Sequence, residues 1–308
     1  MTIAVKTEGL TKTYRLLMHR EPVNAVCDLD LEVHEGEIFG FLGPNGAGKT
    51  TTIKILLGLT YPTSGKAWLF GKPAGDISVK REISYLPESP YFYEYMSGVE
   101  LLDFYARLFG LNGHARKQKV EDLLKAVGLY EDRHKPLSQY SKGMLQRIGI
   151  AQALVNDPKL LFFDEPTSGL DPIAHSEIRD LILRLRDEGR TVFLSSHQLS
   201  DVEMVCDRVA ILNRGRLLKL GRLDELLHGG SVEVKAAGVP AAAVEELRRV
   251  AACVEVENGS VTASMDEGEA VIRAIDIIRT AKGRILLVAP KRRTLEELFM
   301  EIIREESK

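Results

Sequence analysis

The chain of 308 residues is poor in cysteine and in net charge, and it lacks any long apolar run. Its three cysteines, Cys27, Cys206 and Cys253, lie far apart and share no metal-ligand spacing. This argues against a cysteine-based metal site and suits a reducing cytosol. With a formal net charge of −3, no broad cationic surface is on offer to nucleic acid. The local basic runs, Arg133-His134-Lys135 and Lys291-Arg292-Arg293, carry no interleaved aromatic residues and read as solvated faces. Met1 to Lys6 runs straight into a polar stretch, unlike a secretory signal. The apolar run from Ile53 to Leu59 is broken by Lys54 and Gly58 and is too short to cross a bilayer. The expectation is a cytoplasmic chain that, if it works at a membrane, relies on another chain to span it. Its length has room for a domain above about 200 residues and a smaller one.

What the chain does have is a glycine-rich stretch, Gly43-Pro44-Asn45-Gly46-Ala47-Gly48-Lys49-Thr50-Thr51. It follows the apolar run Ile38-Phe39-Gly40-Phe41-Leu42 and precedes Ile53-Lys54-Ile55-Leu56-Leu57, so it reads as strand, loop and helix. Glycines let successive backbone N–H groups turn inward as a nest for phosphate oxygens, and the helix directs its positive end at them. Lys49 supplies a point charge for the β- and γ-phosphates, and Thr50 a hydroxyl for Mg²⁺. Farther on, Leu160-Leu161-Phe162-Phe163-Asp164-Glu165 is a solid apolar run ending in two carboxylates, the pattern of a parallel strand buried on both faces. Asp164 suits the hydration shell of Mg²⁺, and Glu165 is placed to act as general base on an attacking water. Thr191 to Ser196 is a second buried strand with a polar tip, and His197 at its end is a candidate for touching a γ-phosphate.

Around these motifs the pattern is mixed. Period-two alternation at residues 3–7 and at Cys27 to Val33 predicts half-buried antiparallel strands, with a polar turn at His19-Arg20-Glu21-Pro22 between them. A strand ends at Pro87, and residues 89–157 read as a helical insertion that opens on the aromatic cluster Tyr91, Phe92, Tyr93 and Tyr95. That cluster is either a docking surface or part of a core. Leu223 to Leu227 reads as a short helix ending at Gly229-Gly230, and from Ser231 the order is strand, helix, strand, an Asn258-Gly259 turn, strand, helix, strand, which predicts a small ferredoxin-like α+β sandwich. Thr294 caps a last amphipathic helix with Leu295, Leu298, Phe299 and Ile302 on one face.

These residues resemble the ATP-binding subunit of ABC transporters over roughly the first 225 positions. Gly43 to Thr51 matches Walker A, and Leu160 to Asp164 matches Walker B, with Glu165 at the catalytic glutamate. Ser168 to Asp171 matches the D-loop, His197 the switch histidine, and Tyr14 sits where the family stacks an aromatic ring on adenine. The signature L-S-G-G-Q corresponds to Tyr140-Ser141-Lys142-Gly143-Met144, so Ser141 and Gly143 are kept and three positions differ. The resemblance implies a P-loop NTPase fold with an antiparallel β subdomain and a helical insertion. It also implies a head-to-tail homodimer in which Ser141 and Gly143 reach ATP held by the other copy. Glu88 stands where the family usually has glutamine, and a carboxylate there can ligate Mg²⁺ or orient water. The wording of these motifs is most like ATPases of ABC-2-type exporters, which implies a separate integral membrane permease. The expected domains are 1–229 for the ATPase and 230–308 for an accessory unit, of regulation or dimer support or a stabilising appendage. The rival readings are a soluble ABC ATPase acting on ribosomes or nucleic acid, a cofactor-assembly scaffold, and a phosphotransferase. A ribosome-type tandem needs two phosphate loops and this chain has one. Chromosome-type arms need long heptads that are missing between Lys49 and Ser141.

Overall fold

The computed structural model describes residues 2–15, 22–257, 259–266 and 268–306. His19, Arg20 and Glu21 of the expected polar turn, and Asn258 of the expected hairpin, lie outside the described residues. The chain divides into two compact units, residues 1–222 and 223–308.

The first unit opens with β1 (Ile3–Tyr14) and β2 (Val23–His34), which pair antiparallel from Ile3↔His34 to Tyr14↔Val23. Their alternating burial follows the period-two pattern of the sequence, with Val5, Leu10, Leu29, Leu31 and Val33 turned into the core. Then come β3 (Ile38–Leu42), α1 (Lys49–Leu56), β4 (Ser64–Leu69), β5 (Lys72–Pro73) and β6 (Ile83–Leu86). The helical insertion consists of α2 (Gly98–Leu108), α3 (Gly113–Ala126) and α4 (Lys142–Ala153). Ser97 and Glu100 form a capping box that starts α2, which fixes where the chain turns helical after the aromatic cluster. The unit closes with β7 (Leu160–Asp164), α5 (Pro172–Asp187), β8 (Thr191–Ser196), α6 (Leu199–Val205), β9 (Arg208–Asn213) and β10 (Arg216–Arg222).

Two sheets result, one with the order β2-β1-β4-β5 and one with the order β10-β9-β3-β8-β7-β6. In the second sheet β9, β3, β8, β7 and β6 are all parallel. The carboxyl ends of β3, β7 and β8 therefore face the same way, side by side. Each of these three strands is buried at every position. Phe193 of β8 is the hub, with ring centroids 5.6 Å from Phe39, 5.1 Å from Phe41 and 5.4 Å from Phe162. Of the aromatic cluster, Phe92 is buried, whereas Tyr91, Tyr93 and Tyr95 are exposed.

The second unit consists of α7 (Leu223–Leu227), β11 (His228–Ala237), α8 (Ala241–Val250), β12 (Cys253–Glu257), β13 (Ser260–Asp266), α9 (Glu269–Thr280), β14 (Arg284–Arg292) and α10 (Leu295–Glu306). Its sheet is antiparallel with the order β12-β13-β11-β14, the arrangement of a ferredoxin-like sandwich. Gly229 and Gly230, expected to end the short helix, instead lie within β11, because the strand starts directly after Leu227. Val234, Ala236, Val261, Ala263 and Met265 face Leu247, Ala274 and Ile278 of the two helices. Thr294 accepts from the Glu297 amide at 3.2 Å while Glu297 accepts from the Thr294 amide at 2.9 Å, so α10 begins at a reciprocal cap.

Because Phe193 joins all three strands that end at the loop, Phe193→Ala is expected to destabilise the first unit by about 3–5 kcal/mol. Chemical denaturation followed by circular dichroism measures that loss.

Candidate functional site

The site is assembled where β3, β7 and β8 end. After β3 the chain runs through the glycine-rich loop, in which Gly46 and Gly48 have φ of +83° and +101°. Such left-handed values are those by which a loop can turn successive backbone amides inward ahead of a helix. Gly48 is also a steric requirement, since a Cβ there would sit 2.2 Å from the carbonyl oxygen of Ala25 in β2. The antiparallel sheet thus presses directly against the loop. Tyr14, paired with Val23 at the end of β1, lies on that same sheet one strand away from Ala25. Pro44, Asn45 and Gly46 are exposed along the loop, Ala47, Gly48 and Lys49 are buried, Thr50 is exposed and Thr51 half-buried.

Lys49 is only 6 % exposed and donates from Nζ to the Gly43 carbonyl at 2.6 Å. Its Nζ is also 3.1 Å from Oε1 of Glu165. That approach is close but poorly aligned, so the buried Glu165 Oε1 has no hydrogen-bond partner. The other oxygen, Oε2, is 2.7 Å from His197 Nδ1 and accepts from the His197 amide at 3.2 Å. Lys49, Glu165 and His197 are therefore brought together in one continuous chain of contacts. Glu165 has φ of +51°, a left-handed conformation held by its amide donating to the Ser195 carbonyl at 3.0 Å. An acid with one unpartnered oxygen, next to a buried ammonium, is equipped to orient a water against a phosphate gripped by the loop.

Asp164 is buried one residue earlier. Ser195 donates from Oγ to its Oδ1, and Tyr85 of β6 donates from its hydroxyl to Oδ2 at 3.4 Å. Burial, and after it the Asp164 carboxylate, push the Tyr85 phenol far above its ordinary range, with Glu88 adding a further push. Tyr85 therefore stays protonated and remains a donor. Neither Ser195 nor Tyr85 was singled out by sequence. The Ser-Ser tip of β8 was the available signal for Ser195, and nothing marked Tyr85 until β6 was seen to neighbour β7. Glu88 is exposed just past β6, close enough to act on Tyr85 electrostatically.

A divalent cation can be tested against this donor set. Thr50, Asp164 and Glu88 offer hydroxyl and carboxylate oxygens, which suit Mg²⁺, and Asp164 retains lone pairs beyond the two already engaged. Among the described residues no group of three or more His, Cys, Asp or Glu side chains could hold a metal. A Mg²⁺ at this site takes phosphate and water oxygens as well, as that cation ordinarily does. The residues fit it.

Ser141 and Gly143 lie elsewhere in the unit, at the amino end of α4. The Ser141 hydroxyl accepts from the Met144 amide at 3.2 Å and so caps α4, and the residue is exposed. Gly143 is buried, and a Cβ there would meet Ala174 Cβ of α5 at 2.7 Å. The glycine is thus demanded by helix packing as well. Gln146 is buried, and Arg147 donates to the Val127 carbonyl at 3.3 Å and pairs with Glu177 at 3.5 Å, which ties α4 to its neighbours. Asp171 caps α5, accepting from the Ile173 and Ala174 amides at 3.0 Å each.

Comparison with known proteins agrees with this architecture. The sequence pattern of the ABC transporter family matches residues 26–168. An ABC transporter ATP-binding protein of Nostoc sp. is 42% identical over 306 residues, covering 98% of this chain and 90% of that relative. A bacitracin transport ATP-binding protein of Bacillus licheniformis is 42% identical over 229 residues, 73% of this chain and 72% of the relative. A fluoroquinolones export ATP-binding protein of Mycobacterium tuberculosis is also 42% identical over 229 residues, 73% of each chain. Among solved structures, a dimeric ATP-binding cassette in a post-hydrolysis state bound to ADP and Pi has a TM-score of 0.65 at 26% identity, covering 71% of this chain and 98% of that one. Kinship over nearly its whole length, joined to a phosphate loop and acid-tipped strand on a parallel sheet, makes this chain a member of the ABC transporter ATP-binding protein family.

Proposed function

We propose that this chain hydrolyses ATP to drive export through a separate membrane permease of the ABC-2 type. The observation that carries the hydrolytic part is the contact chain from Lys49 through Glu165 to His197 at the mouth of the phosphate loop. Export is supported by relatives whose own names specify bacitracin transport and fluoroquinolones export.

The residues divide the work as follows. The loop from Gly43 to Thr51, through its free backbone N–H groups, and the Lys49 ammonium bind and orient the β- and γ-phosphates, and Tyr14 stacks on the adenine. Thr50, Asp164 and Glu88 would hold Mg²⁺, which would supply neutralisation of the phosphate charge. Glu165 takes a proton from the attacking water through its carboxylate, and His197 hydrogen-bonds the γ-phosphate as it is displaced in line. Arrival of a phosphate gives Lys49 a new anion in place of Glu165, which leaves Glu165 Oε1 for water. Ser141 and Gly143 of a second copy complete the site from the far side, with the α4 amino end directed at the γ-phosphate. Closure of the homodimer over two ATP molecules, and reopening after hydrolysis, would move the permease between its states. The exposed Tyr91, Tyr93 and Tyr95, with Phe104 and Leu108 of α2, offer a surface for that permease on the helical insertion. Residues 1–229 are assigned to the ATPase and 230–308 to an accessory domain for regulation or dimer support, with the whole peripheral to the cytoplasmic face.

Three outcomes are expected. Glu165→Gln keeps ATP binding, by equilibrium dialysis with labelled nucleotide, but lowers kcat by about 100-fold or more, since general-base catalysis contributes on that order. Undiminished turnover removes the role given to Glu165. Glu88→Gln shifts the Mg²⁺ concentration for half-maximal activity by at least about twofold, because one carboxylate charge is lost beside the triphosphate; an unchanged Mg²⁺ titration excludes Glu88 from the metal's surroundings. Affinity purification from detergent-solubilised membranes recovers an integral membrane protein in stoichiometric amount. Recovery of a ribosomal or soluble partner instead would overturn the transport assignment.

A further inference from the structure

We propose that His175 is a positioning residue for the hydrolytic pair, acting through Asp201 and Gln198 to hold Glu165 and His197 in register. The proposal rests on the hydrolytic reading of Glu165 and His197 and adds a residue to it.

Two segments must stay aligned behind the Glu165–His197 contact: the turn that leaves Glu165 and the loop that carries His197. Both are gripped by one small cluster. Thr167, two residues past Glu165, donates from Oγ1 to Asp201 Oδ2 at 2.8 Å. His175, in the first turn of α5, places Nε2 2.8 Å from that same Asp201 oxygen and 3.0 Å from Gln198 Oε1. Gln198 is the residue after His197, and its amide donates to Ser196 Oγ at 2.9 Å. Thr167 and Asp201 are buried, so the bond between them is formed away from competing water, while the His175 contact to Gln198 is partly buried.

The chemistry selects the imidazole's state. Asp201 Oδ2 and Gln198 Oε1 are both acceptors, so Nε2 carries the hydrogen that they share. A histidine serving only to satisfy a buried carboxylate would need Asp201 alone. The second contact, to the side chain adjoining His197, is what gives His175 a bearing on the reaction. Glu165 sits at φ of +51°, a conformation that persists only where its surroundings hold it. Its turn is closed by the Ser168 amide donating to the Glu165 carbonyl at 3.2 Å, and Thr167 within that turn is anchored to Asp201. Release of Gln198 frees the histidine loop on one side, and release of Asp201 frees the glutamate turn on the other. Displacements well under the size of a water molecule are enough to slow a positioned reaction.

The test compares steady-state ATPase kinetics of the full chain for wild type, Glu165→Gln, His175→Leu, His175→Gln and Gln198→Ala. His175→Leu is expected to lower kcat about tenfold while the KM for ATP stays within about twofold. His175→Gln, whose amide N–H falls close to the imidazole Nε2 position, is expected to recover most of the loss. Gln198→Ala leaves the Asp201 pairing intact and cuts only the link to the His197 loop. It is expected to reproduce the kcat-selective loss with an unchanged melting temperature, so the proposal stays testable even if His175→Leu does not fold. The proposal is overturned if Gln198→Ala turns over like wild type, or if His175→Gln is as impaired as His175→Leu. A wild-type chain without ATPase activity, or a fully active Glu165→Gln, overturns the hydrolytic reading and this proposal together.

Discussion

Everything at the mouth of the phosphate loop depends on placing a buried ammonium next to a buried carboxylate. Lys49 and Glu165 are both almost fully enclosed, with Nζ and Oε1 3.1 Å apart, and buried side chains of opposite charge are ordinarily found paired in this way. The parallel sheet makes the arrangement possible. β3 delivers the lysine by way of the loop, β7 delivers the two acids, and β8 between them delivers the histidine. The ring contacts of Phe193 with Phe39, Phe41 and Phe162 fix the spacing of those strands below the site. Charge placement at the rim thus rests on apolar packing a few residues deeper.

The two neighbouring acids illustrate how environment separates roles. Asp164 has an oxygen engaged by each of two hydroxyls, Ser195 and Tyr85, and is held still. Glu165 has one oxygen on His197 and the other beside Lys49 without a hydrogen bond. The first is fixed through both oxygens, whereas the second keeps one oxygen open to a new donor. Adjacent positions on one strand end have opposite side-chain directions, and the left-handed turn at Glu165 redirects its carboxylate toward the loop.

Much of the fold, and the meeting of Lys49, Glu165 and His197 at one place, was legible in the sequence because short-range chemistry dictates it. The loop's glycines, the solid apolar run before Asp164 and the strand tipped by His197 each carry their meaning within ten residues. The βαββαβ order of the second unit was equally legible, since each element has its own period. What sequence could not supply were contacts between distant segments. Tyr85 meets Asp164 from 79 positions away, and His175 meets Gln198 from 23, through strand order and helix placement that no local pattern encodes. The extent of β11 was missed for a different reason. Gly229 and Gly230 carry the local signature of a break, and the pairing with β14 is indeed irregular between His228 and Val232, yet the strand continues through them.

Gly143 has a mechanical consequence. With no side chain of its own, it lets α4 come so near α5 that even one added carbon would collide with Ala174. Two helix tips, one led by Ser141 and the other by Asp171, consequently lie against each other, and any larger residue at position 143 would have to part them.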